Sequence, residues 1–339
     1  MRPLTLKRLL WTCAMLSAVL LACVVLALKL GAVPISVTDL VLNLGRAAIG
    51  RSDQLPTDYR LIIFDLRLPR ILLGVLVGGA LSVSGASFQA MLRNPLADPF
   101  ILGVSSGAAV GSALATLLAP RLALIMPLGA FLGALATIAA VYFLGRREGQ
   151  LDSTTLLLGG IISASFLSAI VMFLTTTLAG RDLRGIVFWL MGDLSTPIQP
   201  GLQWILAVGL LAGIGAIYTT APDLNLLLTG EREAIHLGVD VTRVRLVVYV
   251  SASLLTALAV SGSGTIGYVG LLVPHAVRLL FGADYRLLIP ASALCGAIAI
   301  VLADTLARTV AAPTELPVGA MTAMAGAPVF IYLLRRGLR

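Results

Sequence analysis

The sequence predicts an all-α, polytopic membrane protein with about ten transmembrane helices. Hydrophobic residues make up 58% of the chain and charged residues only 12%, whereas soluble domains carry roughly 25% charged residues. The mean hydropathy is +1.00. The runs 9–28 and 246–277 contain no charged residue, and about 20 apolar residues suffice for one helical crossing. Such a chain has to face lipid.

The predicted spans follow one another along the whole chain, so residues 1–339 form a single predicted transmembrane domain. The first apolar stretch is longer than the roughly 7–15 residues of a signal peptide's apolar region, and we expect it to remain as a span. Glycine, proline or charge interrupts the third, eighth and ninth stretches. The spans are predicted at 10–31, 66–88, 96–117, 122–145, 153–178, 201–221, 244–261, 265–281, 286–306 and 318–334.

Basic residues orient these spans, because cytoplasmic loops of membrane proteins carry an excess of Lys and Arg. An even number of spans places both termini on one side. Three basic clusters then lie in the cytoplasm, and the largest cytoplasmic loop covers 222–243. The clusters are Arg2, Lys7 and Arg8; Arg146 and Arg147; and Arg335, Arg336 and Arg339.

A short sequence repeat relates the two halves of the chain. The sequence ALSVSG at 80–85 returns as ALAVSG at 257–262, with five of six residues identical. The copies lie five spans apart and therefore run in opposite directions. This pattern is typical of transporters built from inverted repeats. Chance similarity in an apolar background is the alternative.

Several functional classes find no support in the residues. The glycine pattern at 262–267 lacks the strand, helix and acidic residue of a dinucleotide site. No GxxxxGK[ST] phosphate loop occurs, so we expect neither ATP hydrolysis nor another enzyme activity from this chain alone. Cys, His, Asp and Glu show no metal-ligand spacing, and we expect no metal or cofactor here. The cations are dispersed, which disfavours nucleic-acid binding.

Polar motifs recur in a fixed order along nearly the whole chain. Among them, 230–239 is predicted to form a short amphipathic helix closed by Gly238. The series is RLPR at 67–70, RNPLADP at 93–99, LGVS at 102–105, the 230–239 segment, GLLVPH at 270–275, LAD at 302–304 with Arg308, ELPVG at 315–319 and GAPVF at 326–330. Together these motifs resemble the permease family of ABC importers for iron–siderophores, haem and cobalamin.

The resemblance implies a type II ABC importer permease in the inner membrane of a bacterium. Such a subunit moves a metal chelate from periplasm to cytoplasm. The resemblance favours an iron–siderophore as the substrate, followed by haem or cobalamin. The implied partners are a second copy of the chain, two ATPase subunits that bind ATP and Mg, and one soluble substrate-binding protein.

The resemblance also assigns roles to the outermost arginines. In this family, arginines receive acidic residues of the binding protein, and the matching positions are Arg67, Arg70 and Arg308. The predicted topology places all three outside, against the positive-inside trend. Attraction between opposite charges would steer docking. Arginines that snorkel toward lipid headgroups are the alternative.

Two further sets match family positions on the cytoplasmic side. Residues expected on the coupling helix, which sits in a groove of each ATPase, are Gly230, Glu231, Ala234, Leu237 and Gly238. A solvated connecting loop is the alternative there. Residues expected near an inner gate are Asn94, Leu96, Ser153 and Thr154. Helix capping is the alternative for the polar members of that set.

The alternative function is an ion-coupled secondary transporter. Such carriers usually need ionisable residues within the membrane. Asp304 is the main candidate, although the predicted topology places it near the outer end of a span.

Overall fold

The computed structural model describes residues 4–31, 33, 35–48, 56–119, 122, 124–147, 150–177, 183–195 and 200–337. The predicted cytoplasmic cations Arg2 and Arg339 lie outside these residues. Within the described ranges, nearly every residue is helical. The extended pairing recorded there is one hairpin, in which Arg146–Arg147 lies antiparallel to Gln150–Leu151.

The helices follow the apolar stretches of the sequence and are numbered in chain order. A wide π-helical segment, Leu61–Arg67, joins α3 to α4, and a 3-10 turn, Pro99–Leu102, precedes α5. The α-helices are α1 Leu6–Lys29, α2 Val37–Ala48, α3 Thr57–Arg60, α4 Leu68–Met91, α5 Val104–Leu118, α6 Ile125–Gly145, α7 Ser153–Thr177, α8 Leu183–Leu190, α9 Pro200–Thr219, α10 Ala221–Leu227, α11 Glu231–His236, α12 Val241–Ser263, α13 Val269–Phe281, α14 Tyr285–Thr309 and α15 Val318–Gly337.

Seven helical stretches of the described chain are long and apolar enough to cross a membrane. Three shorter apolar helices, Val104–Leu118, Val269–Phe281 and Val318–Tyr332, coincide with the third, eighth and tenth predicted spans. The membrane-spanning, all-helical fold is therefore confirmed, while the count of ten spans stays a prediction.

Two predicted boundaries differ clearly from the observed ones. The second span was expected at 66–88, but the helix already begins at Thr57. Charged residues along 58–67 lowered the hydropathy there without breaking the helix. The third span was expected from 96, but α5 begins at Val104. The preceding prolines and Gly103, whose φ is 74°, redirect the chain before it.

Helix α4 is the centre of the bundle and packs against α12, α13 and α14. Small residues permit this close packing. A Cβ atom added to Gly78 of α4 would lie 2.2 Å from the carbonyl oxygen of Gly296 on α14. The glycines spaced by four on α5, Gly107 and Gly111, likewise face Gly133 of α6. Small residues at these faces therefore allow the helix backbones to approach closely.

The packing agrees with the predicted inverted repeat. If each of the first five predicted spans corresponds to the span five places later, α4 corresponds to α12 and α6 corresponds to α14. In the structure α4 packs against α14, and α12 packs against α6, as that correspondence requires. The short helices α5 and α13 are also equivalent, and both follow a residue with positive φ, Gly103 at 74° and Tyr268 at 69°. The two copies of the repeated sequence, 80–85 and 257–262, therefore lie in helices with corresponding contacts, and the inverted repeat stays a prediction.

Substituting Gly78 tests the close approach of α4 and α14. We expect Gly78→Ala to lose about 1–3 kcal/mol of stability, because the added methyl group forces the helices apart. Gly215→Ala is the matched control, since a Cβ atom there meets nothing within 4 Å. The control should be neutral or stabilising by up to about 1 kcal/mol. Thermal unfolding in detergent measures both, and equal behaviour of the two variants would contradict this packing.

Candidate functional site

Charged and polar side chains collect at the two opposite ends of the bundle. One collection, the outer cluster, lies where α4 begins and α14 ends. The other, the inner cluster, lies where α4 ends and α14 begins. The outer cluster consists of Arg67, Arg70, Asp304, Arg308 and Glu315. The inner cluster consists of Arg93, Asn225, Arg278, Asp284 and Tyr285.

Arg70 is the centre of the outer cluster. Its Nη2 atom lies 2.8 Å from Oδ1 of Asp304, and its Nε donates to the same oxygen at 2.9 Å. Its Nη1 donates to Oε2 of Glu315 at 2.7 Å. The Asp304 side chain is 2% exposed and that of Glu315 is 47% exposed. One arginine therefore joins a buried carboxylate to an exposed one.

The other two arginines tie α1 to this cluster. Arg67 donates to the carbonyl oxygen of Leu28 at 2.6 Å and also to that of Val33. Arg308 donates to the carbonyl oxygen of Ala27 at 3.3 Å. Its Nε lies 3.0 Å from Oδ2 of Asp304, which is close enough for an ion pair but not aligned as a hydrogen bond. The guanidinium groups thus satisfy carbonyls that the end of a helix leaves unpaired.

The structure brings Arg67, Arg70 and Arg308 together, as one docking surface requires. They line a cavity of about 190 Å³ together with Glu315. Their side chains, however, are largely buried and engaged within the chain. Docking by these arginines stays a prediction, and the accessible member of the cluster is Glu315. Sequence reasoning missed that Glu315 partners Arg70, because the two lie 245 positions apart.

At the inner end, the predicted amphipathic helix is present as α11. Gly238 closes it with φ of 88°. The N–H of Gly238 donates to Ile235 at 2.9 Å, and the N–H of Val239 donates to Ala234 at 3.0 Å. This pair of bonds is the Schellman ending that favours glycine. The closure predicted at Gly238 is confirmed.

The two faces of α11 differ sharply. Ala234 is fully buried, and Glu231 accepts two hydrogen bonds from Arg245 of α12, at 2.7 and 3.1 Å. Leu237 and Ile235 are 63% and 55% exposed. Ala234 and Glu231 therefore hold the helix in place, and Leu237 with Ile235 forms an apolar surface that faces outward. Sequence reasoning missed Ile235, which lies between Ala234 and His236.

The predicted gate residues occupy two places at this end. Oδ1 of Asn94 accepts the N–H of Leu96 at 2.9 Å, which folds the loop after α4 into a turn with Leu96 exposed. Ser153 and Thr154 begin α7, but Asp152 caps that helix by accepting the N–H of Thr155 at 2.7 Å. Capping is thus not the role of Ser153 or Thr154. Within the described chain, no hydrogen bond joins them to the Asn94 turn.

Helix α10 connects α11 to the neighbouring helices. Arg93, at the start of the loop that carries Asn94 and Leu96, donates to the carbonyl oxygen of Leu227 at 3.2 Å. Asn225 donates to Oδ1 of Asp284 at 2.8 Å and accepts the N–H of Tyr285 at 2.8 Å. Helix α10, which directly precedes α11, is therefore hydrogen-bonded both to the loop after α4 and to the start of α14.

Two carboxyl groups at the inner end have shifted pKa values. Hydrogen bonds from the Arg286 side chain lower the pKa of Asp284, against the opposing effect of burial. Burial raises the pKa of Asp98 to about 6, although the N–H of Phe100, which donates to this carboxylate, opposes the shift. Asp284 is therefore fixed as an anion, while Asp98 changes charge close to neutral pH.

Comparison with known proteins decides the family. The model of the FecCD transport family matches residues 19–336. The chain belongs to the FecCD transport family. This FecCD chain is accordingly a transmembrane permease of the ABC type, as the motif series had predicted.

Named relatives agree with that membership. The chain is 44% identical over 280 residues to the cobalamin import system permease protein of Halobacterium salinarum, covering 83% of this chain and 75% of that protein. It is 42% identical over 287 residues to the hemin transport system permease protein of Yersinia pestis, covering 81% and 83%. A probable iron chelatin transport system permease protein of Helicobacter pylori is 39% identical over 276 residues, covering 81% and 82%.

One solved structure has the same fold along almost the whole FecCD chain. It is described as a metal-chelate type ABC transporter in an inward-facing conformation. The TM-score is 0.81 at 33% identity, and the match covers 96% of this chain and 99% of that one.

Removing the buried charge of Asp304 tests the outer cluster. We expect Asp304→Asn to cost about 3–5 kcal/mol of stability, because Arg70 and Arg308 then share no buried anion. Glu315→Gln should cost at most about 1 kcal/mol, since that pair is half exposed. Chemical unfolding in detergent compares them, and an equal loss for both variants would argue against a buried pairing centred on Asp304.

Asp98 should make stability depend on pH. Its folded-state pKa of about 6 lies above the ordinary value, so the folded state binds the extra proton. The resulting stabilisation is complete below about pH 4 and is lost as pH rises through about 6. Asp98→Asn should flatten the stability profile across that window. A profile that is unchanged by Asp98→Asn would show that this carboxyl does not titrate as described.

Proposed function

We propose that this FecCD chain is the transmembrane subunit of an ATP-driven importer that moves a metal chelate from periplasm to cytoplasm. The observation that carries the proposal is the exposed apolar pair Ile235 and Leu237. Ile235 lies on α11 and Leu237 directly follows this helix, which the Glu231–Arg245 pair and buried Ala234 hold against the bundle. A firmly held apolar surface on a cytoplasmic loop suits docking into a groove of a separate ATPase.

The proposed substrate is an iron–siderophore, with haem or cobalamin as the next candidates. Relatives named for cobalamin, hemin and iron chelatin transport support this class. The proposed assembly contains two copies of the chain, two ATPase subunits that bind ATP and Mg, and one soluble substrate-binding protein at the outer cluster. It would lie in the inner membrane of a bacterium.

In this proposal, ATP binding and hydrolysis in the partner subunits move α11. The movement passes through α10 to two places. The hydrogen bond from Arg93 to Leu227 transmits the movement to the loop that carries Asn94 and Leu96. The hydrogen bond from Asn225 to Asp284 transmits the movement to the start of α14. The inner gate then opens in step with the ATPase, while the outer end of α14 stays tied to Arg70.

The ion-coupled carrier is not favoured. A proton- or cation-coupled site needs a carboxylate that can exchange its partner. Asp304 instead contacts both Arg70 and Arg308 and is 2% exposed. Its position suits a structural anion better than a transport site.

Reconstitution in lipid vesicles tests the proposal. The chain is inserted with its ATPase partner, and uptake of a ⁵⁵Fe-siderophore, haem or ⁵⁷Co-cobalamin is followed with the binding protein added outside. Uptake should require ATP and should stop when the ATPase carries an inactivating substitution in its own phosphate loop. Uptake driven by a proton gradient without ATP would overturn the proposal in favour of the carrier.

Leu237→Asp tests the coupling surface. We expect at least about a tenfold loss of ATPase-subunit affinity, because a charge would enter an apolar contact and lose its hydration. Stability should hardly change, since the side chain is already 63% exposed. Arg232→Gln, on the same helix, is the control for a change of loop charge. Pull-down with the purified ATPase measures both variants, and normal binding by Leu237→Asp would exclude this surface.

A further inference from the structure

The outer cluster already contains an acidic side chain in the place where an external acid would bind. We propose that Glu315 acts as a built-in placeholder on Arg70, and that an acidic side chain of the docking partner displaces it. The inference rests on the proposed function, in which a binding protein docks on these arginines. The inference adds that Glu315 regulates docking, because the partner's carboxylate must replace the Glu315 carboxylate on Arg70.

Arg70 has two differently solvated sides, which is what an exchange requires. Its Nε and Nη2 atoms are held by Asp304, whose side chain is 2% exposed. Its Nη1 atom is held by Glu315, whose side chain is 47% exposed. Buried pairs are costly to break, whereas exposed pairs contribute little. An incoming carboxylate can therefore replace Glu315 while Arg70 remains anchored on Asp304.

The backbone around Glu315 allows the exchange without refolding. The N–H of Leu316 donates to the carbonyl oxygen of Ala307 at 3.1 Å, and the N–H of Thr314 donates to Ala311 at 2.9 Å. These bonds fix the chain on both sides of Glu315. Only its side chain has to rotate into water, and that motion is fast for an exposed residue.

The charge of the cluster changes in the direction that favours an acidic partner. The cluster contains three arginines and two carboxylates, Asp304 and Glu315. Its net charge is therefore one positive charge while Glu315 is paired with Arg70. Once Glu315 has turned away, three arginines face Asp304 alone and two positive charges remain. Glu315 thus lowers the affinity of the resting surface for acidic groups, and a partner must offer enough contacts to outweigh it.

The test measures binding of an acidic probe to the full chain in detergent. The first probe is a fluorescent decaglutamate peptide, which needs no knowledge of the natural partner. The second is the binding protein that supports uptake in the vesicle assay. The variants are Glu315→Gln and Glu315→Ala, and Arg70→Gln serves as the loss-of-site variant. Asp58→Asn is the matched control, because Asp58 is an exposed carboxylate on the same outer face.

We expect both Glu315 variants to bind the peptide about two- to fivefold more tightly than the original chain, the gain that corresponds to losing one exposed ion pair. Arg70→Gln should weaken binding, and the gain should shrink at high salt. Asp58→Asn should change affinity less than either Glu315 variant. Unchanged or weaker binding by both Glu315 variants, or an equal gain in Asp58→Asn, would overturn the placeholder role.

The two probes separate this inference from the proposed function. If the Glu315 variants gain affinity for the peptide but no binding protein docks on the original chain, the proposed docking function fails while the exchange at Arg70 stands. If the binding protein docks and the Glu315 variants show no gain with either probe, the exchange fails while the importer proposal stands.

Discussion

The absence of water in the hydrocarbon region is the constraint on which this structure depends. A charge or backbone group placed there has to find its partner within the protein. Buried Asp304, near the end of α14, has such partners: Arg70 of α4 and Arg308, one turn further along α14, both contact it. The ends of helices follow the same rule, since Arg67 and Arg308 donate to the last carbonyls of α1.

The same two helices connect the two ends of the molecule. Helix α4 carries Arg70 near its outer end and leads into the loop of Asn94 and Leu96 at the inner end. Helix α14 begins beside the Asn225 contact and carries Asp304 near its other end. Between these ends the helices meet at Gly78 and Gly296, where neither tolerates a side chain. This close packing joins α4 and α14 along their length, so one pair of packed helices connects the outer cluster to the inner cluster.

Hydropathy predicted the long helices well because lipid demands continuous apolar stretches. Helices α1, α6 and α7 begin and end within a few residues of their expected limits. Hydropathy failed where helical residues carry charge, as along 58–67, and where prolines and Gly103 delay the start of a helix, as for α5. The repeated sequence at 80–85 and 257–262 predicted that α4 and α12 correspond to each other. Only the packing showed which helices each of them contacts.

The candidate site was predictable in its positions but not in its pairings. Motif resemblance singled out Arg70 and the 230–239 segment. It could not show that Arg70 faces Glu315, since that contact joins distant parts of the chain. It also could not separate buried Ala234 from exposed Ile235, because a six-residue helix is too short for its periodicity to define a face. Long-range contacts of this kind follow from the folded packing alone.

The predicted topology places the outer cluster and α11 on opposite sides of the membrane. Its most direct test is thiol labelling with a membrane-impermeant reagent in right-side-out vesicles, after Cys13, Cys23 and Cys295 have been replaced by alanine. The account predicts that Thr314→Cys, an exposed position beside Glu315, is labelled in intact vesicles. Thr229→Cys, exposed beside α11, should be labelled only after the vesicles are opened. Labelling of both positions in intact vesicles, or of Thr229→Cys alone, would contradict it.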